Sequence, residues 1–206
     1  MRKFIDCKKP ETLKIISISS MRTGSTKQFN LFNAACDILK IVPYAYKTHP
    51  QSFFEVGNSV DYSMVDSNTI ILITRRRLFD SVLSSIRVAN NNSPGLIDQR
   101  RFINSAQRHV HSLKAELKIL KQVINYSPNI YISKFDKLIS SSPYDLICEV
   151  CDFLIGICKA NISIEMKLNY RNLLSDRNVL EDLIKKWGIT FSAARSIQDS
   201  LGKDFN

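Results

Sequence analysis

The sequence predicts an α/β domain in which helices cover both faces of a mostly parallel sheet, a three-layer α/β/α arrangement. Three observations predict it. Short, β-branched apolar runs alternate with longer segments of helical periodicity. The first of these runs passes through a compact, hydroxyl-rich turn directly into a helical pattern, as a parallel strand does when it feeds a crossover helix. No Pro/Gly-rich linker, low-complexity tract or repeat divides the 206 residues, of which 44% are hydrophobic, so a single domain over residues 1–206 is expected to bury one core.

Taken in order, strands are expected over 13–18, 44–48, 69–74 and 129–133, where Ile, Leu, Tyr and Thr cluster between polar turns. Helical patterns occupy 25–40, 78–89 and 97–125, and residues 53–64 fit neither template. The pattern over 97–125 sets Phe102, Ala106, Val110, Leu113, Leu117, Leu120 and Ile124 on one stripe at spacings of three and four, as in a helix with one apolar face. His109 and His111 on that helix are expected to face solvent. The run Asn90-Asn-Asn-Ser-Pro-Gly95 is a turn-rich loop between two helices. Cys148 and Cys151 are spaced like a metal or redox pair, but Leu146, Ile147, Val150, Phe153 and Leu154 around them predict burial in a helix. Further helical patterns lie over 179–187 and 191–201, in a C-terminal part, 158–206, that is expected to be helical.

The segment Lys14-Ile-Ile-Ser-Ile-Ser-Ser-Met-Arg-Thr-Gly-Ser-Thr26 carries the functional signal. A strand that turns into a helix presents unpaired backbone N–H groups, which hold a phosphate. The G-x-x-x-x-G-K-[ST] pattern of nucleotide triphosphatases is missing, because Gly24 is the turn's only glycine and no lysine follows it directly. The order Arg22, Thr23, Gly24, Ser25, Thr26 instead resembles the 5′-phosphosulfate loop of the sulfotransferases. Three later segments match that family in the same order. Lys47-Thr48-His49 resembles the element that carries its catalytic base. Thr69-Ile-Ile-Leu-Ile-Thr-Arg-Arg-Arg-Leu-Phe-Asp-Ser-Val-Leu-Ser84 resembles its 3′-phosphate element, with Asp80 and Ser84 four and eight residues after Arg76. Asn129 to Leu138, followed by Cys151-Asp-Phe-Leu-Ile-Gly156, is similar to its late strand and helix end. The resemblance spans residues 13–157 and implies a fold like that of the P-loop nucleotide hydrolases.

It also implies a co-substrate, 3′-phosphoadenosine 5′-phosphosulfate, and no metal. The 5′ anion would meet the N–H groups and hydroxyls of Thr23, Gly24, Ser25 and Thr26 together with Arg22, and the 3′-phosphate would meet Arg76 and Ser84. The adjacent pair Arg77/Ser85 is an alternative register. In-line sulfuryl transfer to a hydroxyl or amine would use His49 as general base, since a neutral imidazole is available near pH 7. Lys47 and Arg22 would stabilise charge on the bridging oxygen. Two positions depart from the family: Lys27 stands where soluble members often have tryptophan, and Phe135 where they have tyrosine. The Arg-Lys-Gly and Gly-Asp-Trp elements have no counterpart after Gly156.

The formal net charge of +10 predicts an anionic ligand. A nucleotide donor fits that charge, and so do nucleic acid, an anionic glycan or a lipid headgroup, among which charge alone does not choose. The acceptor is expected to be a small molecule or glycan, and neither zinc-ligand spacing nor an aromatic-interleaved basic groove points to nucleic acid. The five cysteines suggest no disulfide framework, residues 1–10 lack the apolar core of a secretory signal, and no run approaches the length of a membrane span, so a cytoplasmic protein is expected. Two other readings remain open at this level: a nucleotide or phosphometabolite kinase on a degenerate loop, and a non-catalytic module that binds a nucleotide or anion.

Overall fold

A computed structural model describes residues 12–20, 22–48, 65–89, 98–126, 128–158 and 162–189. The elements are β1 (Lys14–Ser17), α1 (Ser25–Ile38), β2 (Tyr44–Lys47), β3 (Thr69–Arg75), α2 (Leu78–Ala89), α3 (Gln99–Val123), β4 (Asn129–Lys134), α4 (Phe135–Ser140), α5 (Pro143–Ile157), α6 (Ile164–Ser175) and α7 (Arg177–Lys186). A short 3-10 turn, Ile124–Tyr126, closes α3. The strands form one four-stranded sheet in the order β2-β1-β3-β4, parallel throughout. The fold is therefore α/β.

Parallel strands covered on both faces carry continuous apolar runs, and their side chains alternate between two cores. In β3, Ile70 and Leu72 join a cluster with Ile15, Phe32, Ala35, Ile147, Cys151 and Leu154, which packs α1 and α5 on one face. Ile71 and Ile73 turn the other way and join Ile16, Ile18, Val65, Ile119 and Val123, which packs the C-terminal half of α3 on the opposite face. Helices on both faces are compatible with three layers. Phe32, Tyr131 and Phe153 meet edge-on at centroid separations of 4.9 Å, 6.0 Å and 4.7 Å in the first core.

Helix α5 begins at Ser142, whose hydroxyl accepts from the Asp145 N–H at 3.1 Å with Pro143 in the first turn. Cys148 and Cys151 lie buried in it, and burial pushes both thiols above the usual cysteine range. Helix α6 falls on 164–175, within the C-terminal part 158–206 that is expected to be helical but outside the two patterns singled out there; Tyr170 and Leu174 are its buried residues and Ser163 caps it. Helix α7 packs Leu183 into the first core, and the Trp187 Nε1–H donates to Asp37 at the C-terminal end of α1. The 191–201 pattern, residues 53–64 and the 90–95 loop lie outside the described residues.

Two expectations for α3 are corrected. His109 is only 3% exposed, because its Nε2 is hydrogen-bonded to the Ser85 hydroxyl of α2 at 2.8 Å. The apolar stripe is also not the buried face: Val110, Leu117 and Ile124 are 37%, 53% and 62% exposed, whereas Ser105, His109, Ser112, Glu116, Ile119 and Val123 are buried. Both stripes have helical spacing. The buried one is masked because its first four members are polar, and His109, Ser112 and Glu116 among them find partners inside the protein.

Candidate functional site

Strand order changes direction at β1, which has β2 on one side and β3 on the other. Ligands of open α/β sheets bind at such a point, beyond the carboxyl ends of the strands. The turn after β1 and the segment after β3 meet here.

The turn is fastened from below by hydroxyls. The Ser19 hydroxyl accepts from the Thr74 N–H at 2.7 Å, tying the end of β1 to that of β3. Thr23 is buried; its hydroxyl donates to the Ser20 carbonyl at 2.7 Å and lies against the Thr74 hydroxyl. That side chain is committed to holding the turn, so Thr23 can offer a ligand its backbone and not its hydroxyl. Arg22 has a φ of 60° and Gly24 a φ of 88°, so the backbone passes twice through the left-handed region. At Gly24 the requirement is steric as well: a Cβ there would lie 2.9 Å from Phe135 Cδ2 and 3.3 Å from Leu138 Cδ1. The close approach of α4 therefore fits only glycine.

Gly24 occupies the N-cap position of α1 and supplies no side-chain hydrogen bond, whereas Asp98, Ser142, Ser163 and Asp176 cap α3, α5, α6 and α7 through their side chains. The first turn of α1 thus keeps the character of an anion-holding helix start. Ser25 at that turn is buried and Thr26 exposed.

Cations arrive from both neighbouring strands. Lys47, the last residue of β2, donates its ammonium to the Thr26 hydroxyl. Burial lowers its pKa below the usual lysine value. Arg76, just past β3, donates from Nη1 to the Arg22 carbonyl at 3.1 Å, and its guanidinium stacks on the Phe135 ring 3.9 Å from the centroid. Its Nε is buried without a partner, and burial lowers its pKa against the opposing influence of Asp80 and Asp136. Phe135 thus backs both Gly24 and Arg76. Beside the turn, a cleft of 270 Å³ is lined by Gly24, Thr26, Lys27, Asn30, Phe135 and others.

Of the residues singled out in the sequence, Arg22, Thr23, Gly24, Ser25, Thr26, Lys47 and Arg76 are brought together. Ser84 is half-buried in α2, eight residues after Arg76, which precedes that helix. The neighbouring Ser85 is engaged with His109, and Arg77 is exposed. His49 lies outside the described residues.

Glu116 carries no motif and is missed by sequence reasoning. It is fully buried in α3, forms an ion pair with Arg75, and accepts from the Ser20 N–H at 3.1 Å and the Ser20 hydroxyl at 3.3 Å. Ser112 donates to the same Ser20 hydroxyl at 3.2 Å. Gln28 similarly links α1 to the Ile73 carbonyl and the Ser133 hydroxyl, both at 3.0 Å. The signal for Glu116 is that it is the only acidic residue in a 25-residue helix of otherwise basic charge.

Comparison of the chain with family models, with curated proteins and with solved structures gives no match. No described helix is long and apolar enough to cross a membrane.

Proposed function

We propose that this chain is a sulfotransferase that moves a sulfuryl group from 3′-phosphoadenosine 5′-phosphosulfate to an acceptor hydroxyl or amine, on a fold of the P-loop nucleotide-hydrolase kind. The observation that carries this reading is the arrival of two cations at one turn: Lys47 through the Thr26 hydroxyl and Arg76 through the Arg22 carbonyl. A turn built only to connect a strand and a helix has no need of partly dehydrated cations from both flanking strands.

In this reading the N–H groups of residues 23–26 and the Arg22 guanidinium hold the 5′ anion, with Thr26 as the exposed hydroxyl. Arg76 and Ser84 receive the 3′-phosphate, and the cleft beside Lys27 and Asn30 takes the nucleoside. His49 accepts the acceptor's proton as the acceptor atom bonds to sulfur. Lys47 and Arg22 offset the negative charge that gathers on the bridging oxygen as its bond to sulfur breaks. The partial burial of Lys47 strengthens that effect, because a dehydrated charge acts through a lower dielectric. The buried, unpaired cysteines among the described residues suit the reducing cytoplasm expected from the sequence.

The test is turnover. The protein is incubated with the sulfated donor and a panel of phenols, alcohols, amines and glycans, and release of adenosine 3′,5′-bisphosphate is followed. Acceptor-dependent release that is lost in His49→Ala supports the proposal. Phosphate transfer from ATP would replace it with a kinase, and nucleotide binding without turnover on any acceptor would replace it with a non-catalytic module.

A further inference from the structure

The apolar stripe of α3, exposed at Ile103, Val110, Leu117 and Ile124 and half-buried at Ala106, Leu113 and Leu120, the last packed against the second core, has a stricter spacing than an amphipathic helix needs. Ile103, Ala106, Val110, Leu113, Leu117, Leu120 and Ile124 alternate steps of three and four residues without a break, which is the a/d repeat of a coiled-coil seam. The β-branched residues Ile103, Val110 and Ile124 fall on one of its two positions and Leu113 and Leu120 on the other. From Ile103 to Ile124 the seam covers 22 residues, about 31 Å at 1.5 Å per step. Ile103 is 45% exposed and Leu117 53% exposed. At the upstream end the Phe79 ring, itself 57% exposed, lies 5.7 Å from that of Phe102 and lengthens the apolar strip. A groove of 430 Å³ follows Phe102, Ile103, Ala106, Val110 and their neighbours Gln107 and Lys114.

Charge selects the occupant. One flank of the seam is the protein's own body, where His109, Glu116 and Val123 are buried. The open flank carries Gln107, Lys114 and Lys121, and both lysines are exposed. The helix's single acid, Glu116, is sequestered with Arg75, so nothing acidic on α3 answers these cations from the surface. A second copy would bring lysine rows against each other, which is unfavourable at flanking positions. A membrane helix needs a wide apolar face, not a two-residue seam flanked by the protein body.

We propose that α3 docks an amphipathic helix of a partner protein, with an a/d apolar stripe and glutamate or aspartate along the edge that meets Lys114 and Lys121. This surface is separate from the turn at residues 22–26 and does not depend on the transfer reading. The test uses a four-heptad synthetic peptide with Ile and Leu at a and d and Glu at the flanking positions. Its controls are the same composition with the apolar residues scrambled out of register and a version with Lys at the flanks. Binding to the full chain is followed by fluorescence anisotropy.

The expected result is that the acidic peptide binds at least about tenfold tighter than either control. Val110→Ser/Leu117→Ser should remove that preference while leaving the circular dichroism spectrum and thermal midpoint of the protein near wild type. Lys114→Glu/Lys121→Glu should invert it toward the Lys-flanked peptide, a readout that misfolding does not produce. Equal binding of all three peptides, or none, overturns the proposal. So does a sedimenting dimer that dissociates in the Val110/Leu117 variant, which would make the occupant a second copy. Seam-dependent capture by phosphatidylserine vesicles would make it a membrane.

Discussion

Gly24 is where backbone conformation and packing coincide, in the turn proposed to hold the nucleotide. Its φ of 88° and the 2.9 Å approach of Phe135 to an added Cβ both oppose any side chain. Gly24→Ala is expected to cost about 1–3 kcal/mol in urea unfolding, the scale of a residue held in a sparsely populated backbone region. It should also abolish nucleotide binding, because relief of the clash must move the turn or α4. Arg76 is fixed by the Arg22 carbonyl on one side and the Phe135 ring on the other. Arg76→Ala should weaken bisphosphate binding by roughly ten- to a hundredfold in calorimetry, the worth of a hydrogen bond to a charged group. His49→Ala should leave that affinity nearly unchanged and remove turnover. Equal losses in the two variants would undo the division of roles between them.

Helix α3 shows that one element can hold two unlike interfaces. Its C-terminal half follows the usual rule and buries Ile119 and Val123 against the sheet. Further up, the same buried stripe is polar, and Glu116 fastens it to Ser20 and Arg75. Glu116 is buried but the Arg75 side chain is 35% exposed, so water screens part of the loss and Arg75→Ala should cost about 1–3 kcal/mol, while Glu116→Gln, which keeps an acceptor for the Ser20 N–H, should cost less. Urea midpoints of the two variants check this. His109 gives the interface a pH dependence. Burial, reinforced by the neighbouring Arg108 charge, lowers its pKa below the ordinary histidine value. The unfolded chain therefore takes up the proton first as pH falls. Stability present above the ordinary histidine pKa should be lost as pH drops toward the depressed folded value. His109→Asn should flatten that part of the profile between pH 7.5 and 5.5, and an unchanged slope would remove His109 as its source.

At the scale of the molecule, the sequence is most legible where side chains follow one period. The runs of β1 and β3, the helix after Gly24 and the burial of Cys148 and Cys151 could all be read, because two-sided parallel strands and apolar helices show themselves in composition. The meeting of Lys47 and Arg76 at the turn follows from parallel pairing on both sides of β1, which motif order suggested and topology supplies. The face of α3 was illegible for a physical reason: polar residues enter an interior when they find partners there, and the partners of Ser112, Glu116 and His109 lie on distant segments. The C-terminal part is legible as helical, but the bounds of α6 are not, because Ile164 and Leu168 are 76% and 73% exposed and blur its apolar pattern. The net charge of +10 sets the expectation for solution behaviour: binding of a multiply charged nucleotide should weaken as salt rises.

The central claim is that the turn after β1 and the arginine after β3 together hold an adenosine nucleotide through two separate anions. Calorimetric titration with adenosine 3′,5′-bisphosphate, ADP and ATP tests it most directly. The account predicts micromolar binding of the bisphosphate that ADP and ATP do not match, with most of the difference lost in Arg76→Ala. Equal binding of all three nucleotides, or binding of none, would contradict it.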